Sequence, residues 1–304
     1  MINSKILVSG ADYLTNSPQN SSPINPYYYL GSSPVDASLA IREHAEIVKC
    51  FKECGTDIVQ IDPPINEQDG VYTANWAFIL EGTAFIANLP NARSGEREYA
   101  RKTLAELGFN IVDVPSEFAF SGQGDMLKCG ATIFCGHGYR TDIAAIDFII
   151  RYISESNNFS QNYEFIILKT VPVYNRDISQ NTSDPDEIWI NPSTQKPDSY
   201  FFDIDLALSV ISEELIAYCP DAFDKNSLAK IQKLPLKKIE VNRSEAIENF
   251  ALNLVSTGES VIMSSTANSL KSKLESLGLK IYTPEISELK KCGGYIRCIS
   301  LTLS

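Results

Sequence analysis

The residues best suited to chemistry lie late in the chain, where Cys298 follows the pair Gly293-Gly294 and leads into the run Ile299-Ser300-Leu301-Thr302. That run reads as a β-strand. A thiol held at a strand start behind a flexible glycine turn suits a nucleophile at the mouth of a pocket. A small buried apolar residue is the competing reading, since most free cysteines are that. A lone cysteine signature does not transfer between families, so the rest of the chain must decide.

Other segments bring polar groups to turns. Asp69-Gly70-Val71-Tyr72-Thr73-Ala74-Asn75-Trp76 stands just before a strand, and Asp69 and Asn75 either reach into a pocket or cap a turn. Phe120-Ser121-Gly122-Gln123-Gly124-Asp125 is a glycine-rich entry to another strand. Its spacing matches neither phosphate-binding fingerprint, which leaves a close backbone approach to a ligand with Asp125 in contact. In Gly136-His137-Gly138-Tyr139-Arg140-Thr141-Asp142, Arg140 either clamps a carboxylate or pairs locally, and Asp142 or Thr141 caps a helix. His137 reads as a hydrogen-bonded loop residue. Asp203 and Asp205 are paired carboxylates at a strand entrance, fit to hold a cation, to act as acid and base, or only to be solvated.

Composition narrows the classes. There are 26 Lys and Arg against 38 Asp and Glu, a formal charge of −12. That excludes a broad nucleic-acid footprint and disfavours anionic membranes. An apolar content of 44% supports a substantial core. The seven cysteines include no CxxC pair and there are only two histidines, His44 and His137. Structural zinc is not expected, nor any other metal or cofactor, and reduced thiols fit a cytoplasmic setting. No signal-like stretch opens the sequence and no window has the length of a membrane span.

The elements that must position these residues recur. Strand patterns at 77–80 and 83–87 form a hairpin around Glu81-Gly82, followed by a helix over 96–107 and a strand over 110–114. The same order returns at 126–173 and at 206–241, and strand, helix and strand signals continue to 283. Three clear copies with partial ones at both ends point to radial repetition around one central site, as against chance alternation in an ordinary α/β domain. The whole chain, 1–304, reads as one domain, and 179–200, rich in Asn, Asp, Ser and Pro, reads as a surface insertion.

Taken in order, seven segments resemble the amidinotransferase and dimethylargininase group of guanidine-modifying enzymes, the penteins: Ile24-Asn25-Pro26, 69–75, 120–125, 136–142, 205–209, 249–255 and 293–298. The resemblance covers nearly the whole chain. It implies an α/β pentein fold, a five-fold pseudosymmetric propeller of ββαβ-like modules around a pocket. It also implies that Cys298 attacks a guanidinium carbon. Asp69, Asn75, Asp125 and Asn25 fall at substrate-binding positions, and Arg140 matches an arginine that holds a substrate carboxylate. The implied ligand is a small guanidino compound or amino acid, and a protein partner stays open.

Two departures touch the catalytic assistants. The family's His-Leu-Asp-Thr becomes Asp203-Ile204-Asp205-Leu206, and its Phe-Glu-Gly-x-Gly-Asp becomes a segment with Ser121 in place of the acid. Ala74-Asn75 also replaces the Glu-Asp of some relatives. An imidazole both protonates an amine leaving group and deprotonates water, help worth about 10²–10⁴-fold. An ordinary aspartate, with a pKa near 4, has no proton to give at neutral pH, and its charge disfavours a neighbouring thiolate. Two outcomes follow: altered or impaired turnover through Cys298, or an inactive pentein that binds a ligand or a protein.

Overall fold

Short apolar strands alternate with amphipathic helices throughout the computed structural model, which describes residues 2–17, 22–30, 33–89, 91–156, 158–178 and 183–304. Strand β1 (Lys5–Val8) leads through helix α1 (Ala37–Glu53) to β2 (Asp57–Gln60). Next come the hairpin β3 (Ala77–Leu80) and β4 (Thr83–Ile86), helix α2 (Glu96–Glu106) and β5 (Asn110–Asp113). The pattern repeats as β6 (Met126–Cys129), β7 (Thr132–His137), α3 (Ile143–Glu155) and β8 (Glu164–Lys169). A one-turn helix α4 (Asn175–Ile178) and a small hairpin, β9 (Ile190–Asn191) and β10 (Lys196–Pro197), intervene. Then follow β11 (Leu208–Ser212), β12 (Leu215–Tyr218), α5 (Lys225–Lys233) and β13 (Lys237–Glu240). Helix α6 (Arg243–Glu248) leads to β14 (Val255–Ser256), β15 (Ser260–Ile262), α7 (Asn268–Ser276) and β16 (Lys280–Tyr282), and β17 (Leu301–Thr302) closes the order.

Five of the sheets share one three-stranded topology. The first two strands pair antiparallel and the third joins the second in parallel, as in β3-β4-β5. A parallel step needs a crossover, which the helix supplies. Four copies are continuous in sequence. The fifth is assembled from both ends of the chain, β17 pairing antiparallel with β1 and β1 parallel with β2. The expectation of three clear copies therefore becomes four plus one split copy. The shortfall has a simple cause: β14 and β17 are two residues each, too short to show a period of two.

Local chemistry accounts for the parts. Glu81 and Gly82 both take positive φ, 44° and 78°, the primed-turn geometry that suits a two-residue hairpin. Asp36 caps α1 by accepting from the Leu39 amide at 3.0 Å. Helix α3 buries Ile146, Ile149 and Ile153 in one cluster with Ile133, Phe78 and Phe85. Each such fully buried side chain contributes about 1.5–3 kcal/mol.

The segment 179–200 divides. Residues 179–182 lie outside the described residues, 183–188 are exposed, and Trp189, Asn191 and Asp198 to Tyr200 are buried. Trp189 meets the Tyr29 ring edge-on at 5.2 Å. Among the described residues no helix is long and apolar enough to cross a membrane.

One feature of the repeat positions the site. The first strand of each unit is entered through a tight turn. Thr73–Trp76 precedes β3, Gly122–Gly124 precedes β6, and Ile204–Leu206 precedes β11. Asn253 stands just ahead of β14 and Cys298 just ahead of β17. Equivalent turns of successive units meet, so their side chains converge although they lie far apart in sequence.

Candidate functional site

Cys298 does not open a long strand. It sits in an irregular turn, and only Leu301–Thr302 after it is β. Asn253 builds that turn: its Oδ1 accepts from the Arg297 and Cys298 amides at 2.9 and 3.1 Å, and its Nδ2 donates to the Cys298 sulfur at 3.1 Å. Gly293, with φ 85°, allows the preceding bend. The sulfur also donates toward the Asp205 carboxyl, 3.6 Å from Oδ2. Burial first, and Asp205 second, push the thiol well above its usual pKa. The ligand-free sulfur is a thiol at neutral pH.

The carboxyl against the sulfur is thus Asp205, not Asp203, which the resemblance places at the catalytic histidine. Asp203 is fully buried and accepts three hydrogen bonds: from Ser121 Oγ at 2.7 Å, from Asn75 Nδ2 at 2.8 Å and from Arg140 Nη1 at 3.4 Å. Ser121 therefore holds Asp203 and does not reach the thiol. Gly124 is required beside them, because a Cβ there would collide with Asn75 Nδ2 and Asp203 Oδ2. Asp205 is itself pushed well above the carboxylate range by burial and by Asp203. In sequence it is one of two aspartates two residues apart, and nothing there marks its contact with the thiol.

The remaining expected residues fall into two groups. Arg140 lines the cavity, its guanidinium 3.8 Å over the Phe202 ring. Its Nε and Nη2 are buried without a partner. Asp69 lines the cavity too, its carboxylate accepting from the Tyr28 hydroxyl at 3.1 Å and from Gln68 Nε2 at 3.2 Å. The other two orient backbone. Asn25 caps the Pro26–Tyr29 turn by accepting from the Tyr27 amide and donates to the Cys292 carbonyl at 2.9 Å, tying the mouth to the 292–294 bend. Asp125 accepts from the Ile204 amide at 2.9 Å and so fixes the turn bearing Asp203 and Asp205. Burial and Asp203 push Asp125 up to about 8.

Arg93 was not anticipated. It is 1% exposed and binds Glu96 through Nε and Nη2, both at 2.7 Å, and Asn75 Oδ1 through Nη1 at 2.8 Å. Only its three-residue spacing from Glu96 marks it in sequence. Neither imidazole is near the sulfur: His44 is buried on α1, and half-buried His137 ends β7 beside the Lys169 strand. Among the described residues no group of three His, Cys, Asp or Glu is arranged to hold a metal. Asn25, Asp69, Tyr72, Asn75, Arg93 and Arg140 surround a cavity of only about 10 Å³ next to Cys298, roughly the space one water needs.

The geometry can be set beside known proteins. A family profile described as N,N dimethylarginine dimethylhydrolase, eukaryotic, matches residues 27–182. The N(G),N(G)-dimethylarginine dimethylaminohydrolase of Mycobacterium tuberculosis is 27% identical over 281 residues, spanning 92% of this chain and 80% of that protein. The bifunctional arginine dihydrolase/ornithine cyclodeaminase ArgZ of Synechocystis is 24% identical over 287 residues. That match takes in 92% of this chain but only 36% of ArgZ, so the chain spans about a third of the length of that relative. The crystal structure of the N-terminal domain of ArgZ bound to product superposes with a TM-score of 0.81 at 23% identity, covering 99% of this chain and 97% of that one. Five units of one topology, with the site at their entry turns, define the pentein fold of guanidine-modifying hydrolases. Within that class the chain belongs to the N,N-dimethylarginine dimethylaminohydrolase family.

Proposed function

We propose that this chain binds an arginine-like guanidino compound beside Cys298 and turns it over slowly, because the thiol has no imidazole to move protons. The carrying observation is the surroundings of the sulfur: Asn253 Nδ2 at 3.1 Å and the Asp205 carboxyl at 3.6 Å. The relatives act on such compounds by name, dimethylarginine for one and arginine for another. In this reading the cation sits between Asp69 and Asn75 next to Cys298, and the ligand carboxylate takes the partnerless donors of Arg140. A cation next to the sulfur would favour the thiolate. Sulfur adds to the guanidinium carbon, but loss of the amine needs a proton and release of the intermediate needs a hydroxide. Asp203, saturated by three donors, is poorly placed for both. We read 1–304 as one domain.

L-arginine and dimethylarginine are the probes. Calorimetry should detect binding, intact-mass analysis should find a sulfur adduct absent in Cys298→Ser, and amine release should be slow. Failure of both compounds to bind, or amine release unchanged in Cys298→Ser, overturns the proposal. A second reading, a non-catalytic binding module, is favoured by Asp203 and Ser121 standing where the resemblance expects the histidine and its acid; binding with no adduct would select it.

A further inference from the structure

A larger cavity of about 340 Å³ lies beyond the Asp205–Cys298 contact, lined by Asp205 and Arg297. Strands β3, β6, β11 and β17, the first strands of four units, line it, and Leu252 and Leu254 just ahead of β14 bring in the fifth. Its size falls within the range of small-molecule sites, about 300–1,000 Å³. Phe78, Leu80 and Met126 give it apolar walls.

Its polar end is unusual. Arg297 is 8% exposed, yet its guanidinium meets neutral acceptors: the Ser300 carbonyl at 3.1 Å, Thr302 Oγ1 at 2.9 Å and Gln123 Oε1 at 2.9 Å. Buried charges are ordinarily paired. Asp205 is the neighbouring acid, yet no carboxylate among the described residues forms an ion pair with this guanidinium. Ser209 Oγ, also on the wall, is buried without any partner, which costs stability unless something binds it.

We propose that this central cavity is a second ligand site, for a small carboxylic acid with an apolar tail, its carboxylate against Arg297 and Ser209 and its tail against Phe78, Leu80 and Met126. The site is separate from the guanidino site, so its occupancy does not depend on whether arginine binds.

Sodium hexanoate is the probe, with hexanamide as the uncharged match. Calorimetry should show hexanoate binding at least roughly tenfold tighter than hexanamide, because only the acid pairs with the guanidinium. Ser209→Leu, which fills the polar end, should weaken hexanoate by roughly tenfold or more with circular dichroism unchanged. In crystals soaked with 6-bromohexanoate, the bromine anomalous peak should lie beside Phe78 and Met126. That position decides the matter even if the variant fails to fold. No binding, equal binding of the amide, no bromine peak, or bromine at the Arg140 mouth would overturn the assignment.

Discussion

The sulfur of Cys298 lies 3.6 Å from Asp205 Oδ2, while Asp203, two residues earlier, turns its carboxylate onto Ser121, Asn75 and Arg140. Asp203 is the N-cap of the 3₁₀ turn Ile204–Leu206, and Asp205 lies within it. With three residues per turn, positions two apart point to different sides. One short turn thus gives one carboxyl to the thiol and the other to a buried polar cluster.

Asp205→Asn should lower the pKa of Cys298. Asp205 is the largest influence after burial that raises it. The pH profile of alkylation by iodoacetamide, followed on the Cys298 peptide by mass spectrometry, should move down by roughly one unit. Asp203→Asn should move it less. An unmoved profile in Asp205→Asn would mean that this carboxyl does not bear on the sulfur.

Restoring the missing pair should raise turnover. In Asp203→His with Ser121→Glu, the new carboxylate accepts from the imidazole where Ser121 Oγ now donates to Asp203 at 2.7 Å. Amine release from arginine or dimethylarginine should rise by about 10²-fold or more in the double variant. Asp203→His alone should give less, since Arg140 would then face an imidazole without an acid to orient it. Equal rates in wild type and double variant would show that the imidazole is not what limits this site.

The units were legible where elements are long. The helix expected over 96–107 is α2 (Glu96–Glu106), and the hairpin at Glu81-Gly82 announces itself by its turn. The split unit was not legible as such, because β17 has two residues and its partner β1 lies at the other end of the chain. In the site, Cys298 stood out by its glycine bend. Asp205 did not, because which of two aspartates faces the sulfur is set by the phase of a three-residue turn. Arg93 did not either, since a buried arginine looks like a surface one until Glu96 and Asn75 are folded around it.

Arg93 should be a keystone for stability. Its pairing with Glu96 is fully buried, and Glu96 also accepts from Trp76 Nε1 at 2.8 Å. Arg93→Met leaves that carboxylate unpaired and should cost about 3–5 kcal/mol in urea unfolding. Glu96→Gln added to it keeps an acceptor for Trp76 and removes the stranded charge, so the double variant should regain part of the loss. Additive losses would mean that the two side chains do not act as a pair.

Asp125 should make both folding and ligand binding depend on pH. Burial, then Asp203, raises its carboxyl from 3.8 to about 8. Between these values the folded chain holds a proton that the unfolded chain has lost. Stability from this group is therefore greatest at low pH and declines as pH rises toward 8. Asparagine keeps an acceptor for the Ile204 amide, so Asp125→Asn should match wild type near pH 4 and melt progressively higher than it toward pH 8. A guanidinium cation favours the carboxylate, so its binding should release a proton, and affinity in wild type should climb with pH by up to about tenfold per unit. Calorimetry in buffers of different ionisation enthalpy reads that proton directly. In Asp125→Asn the climb should flatten; the same slope in both proteins would place Asp125 outside the field of the ligand.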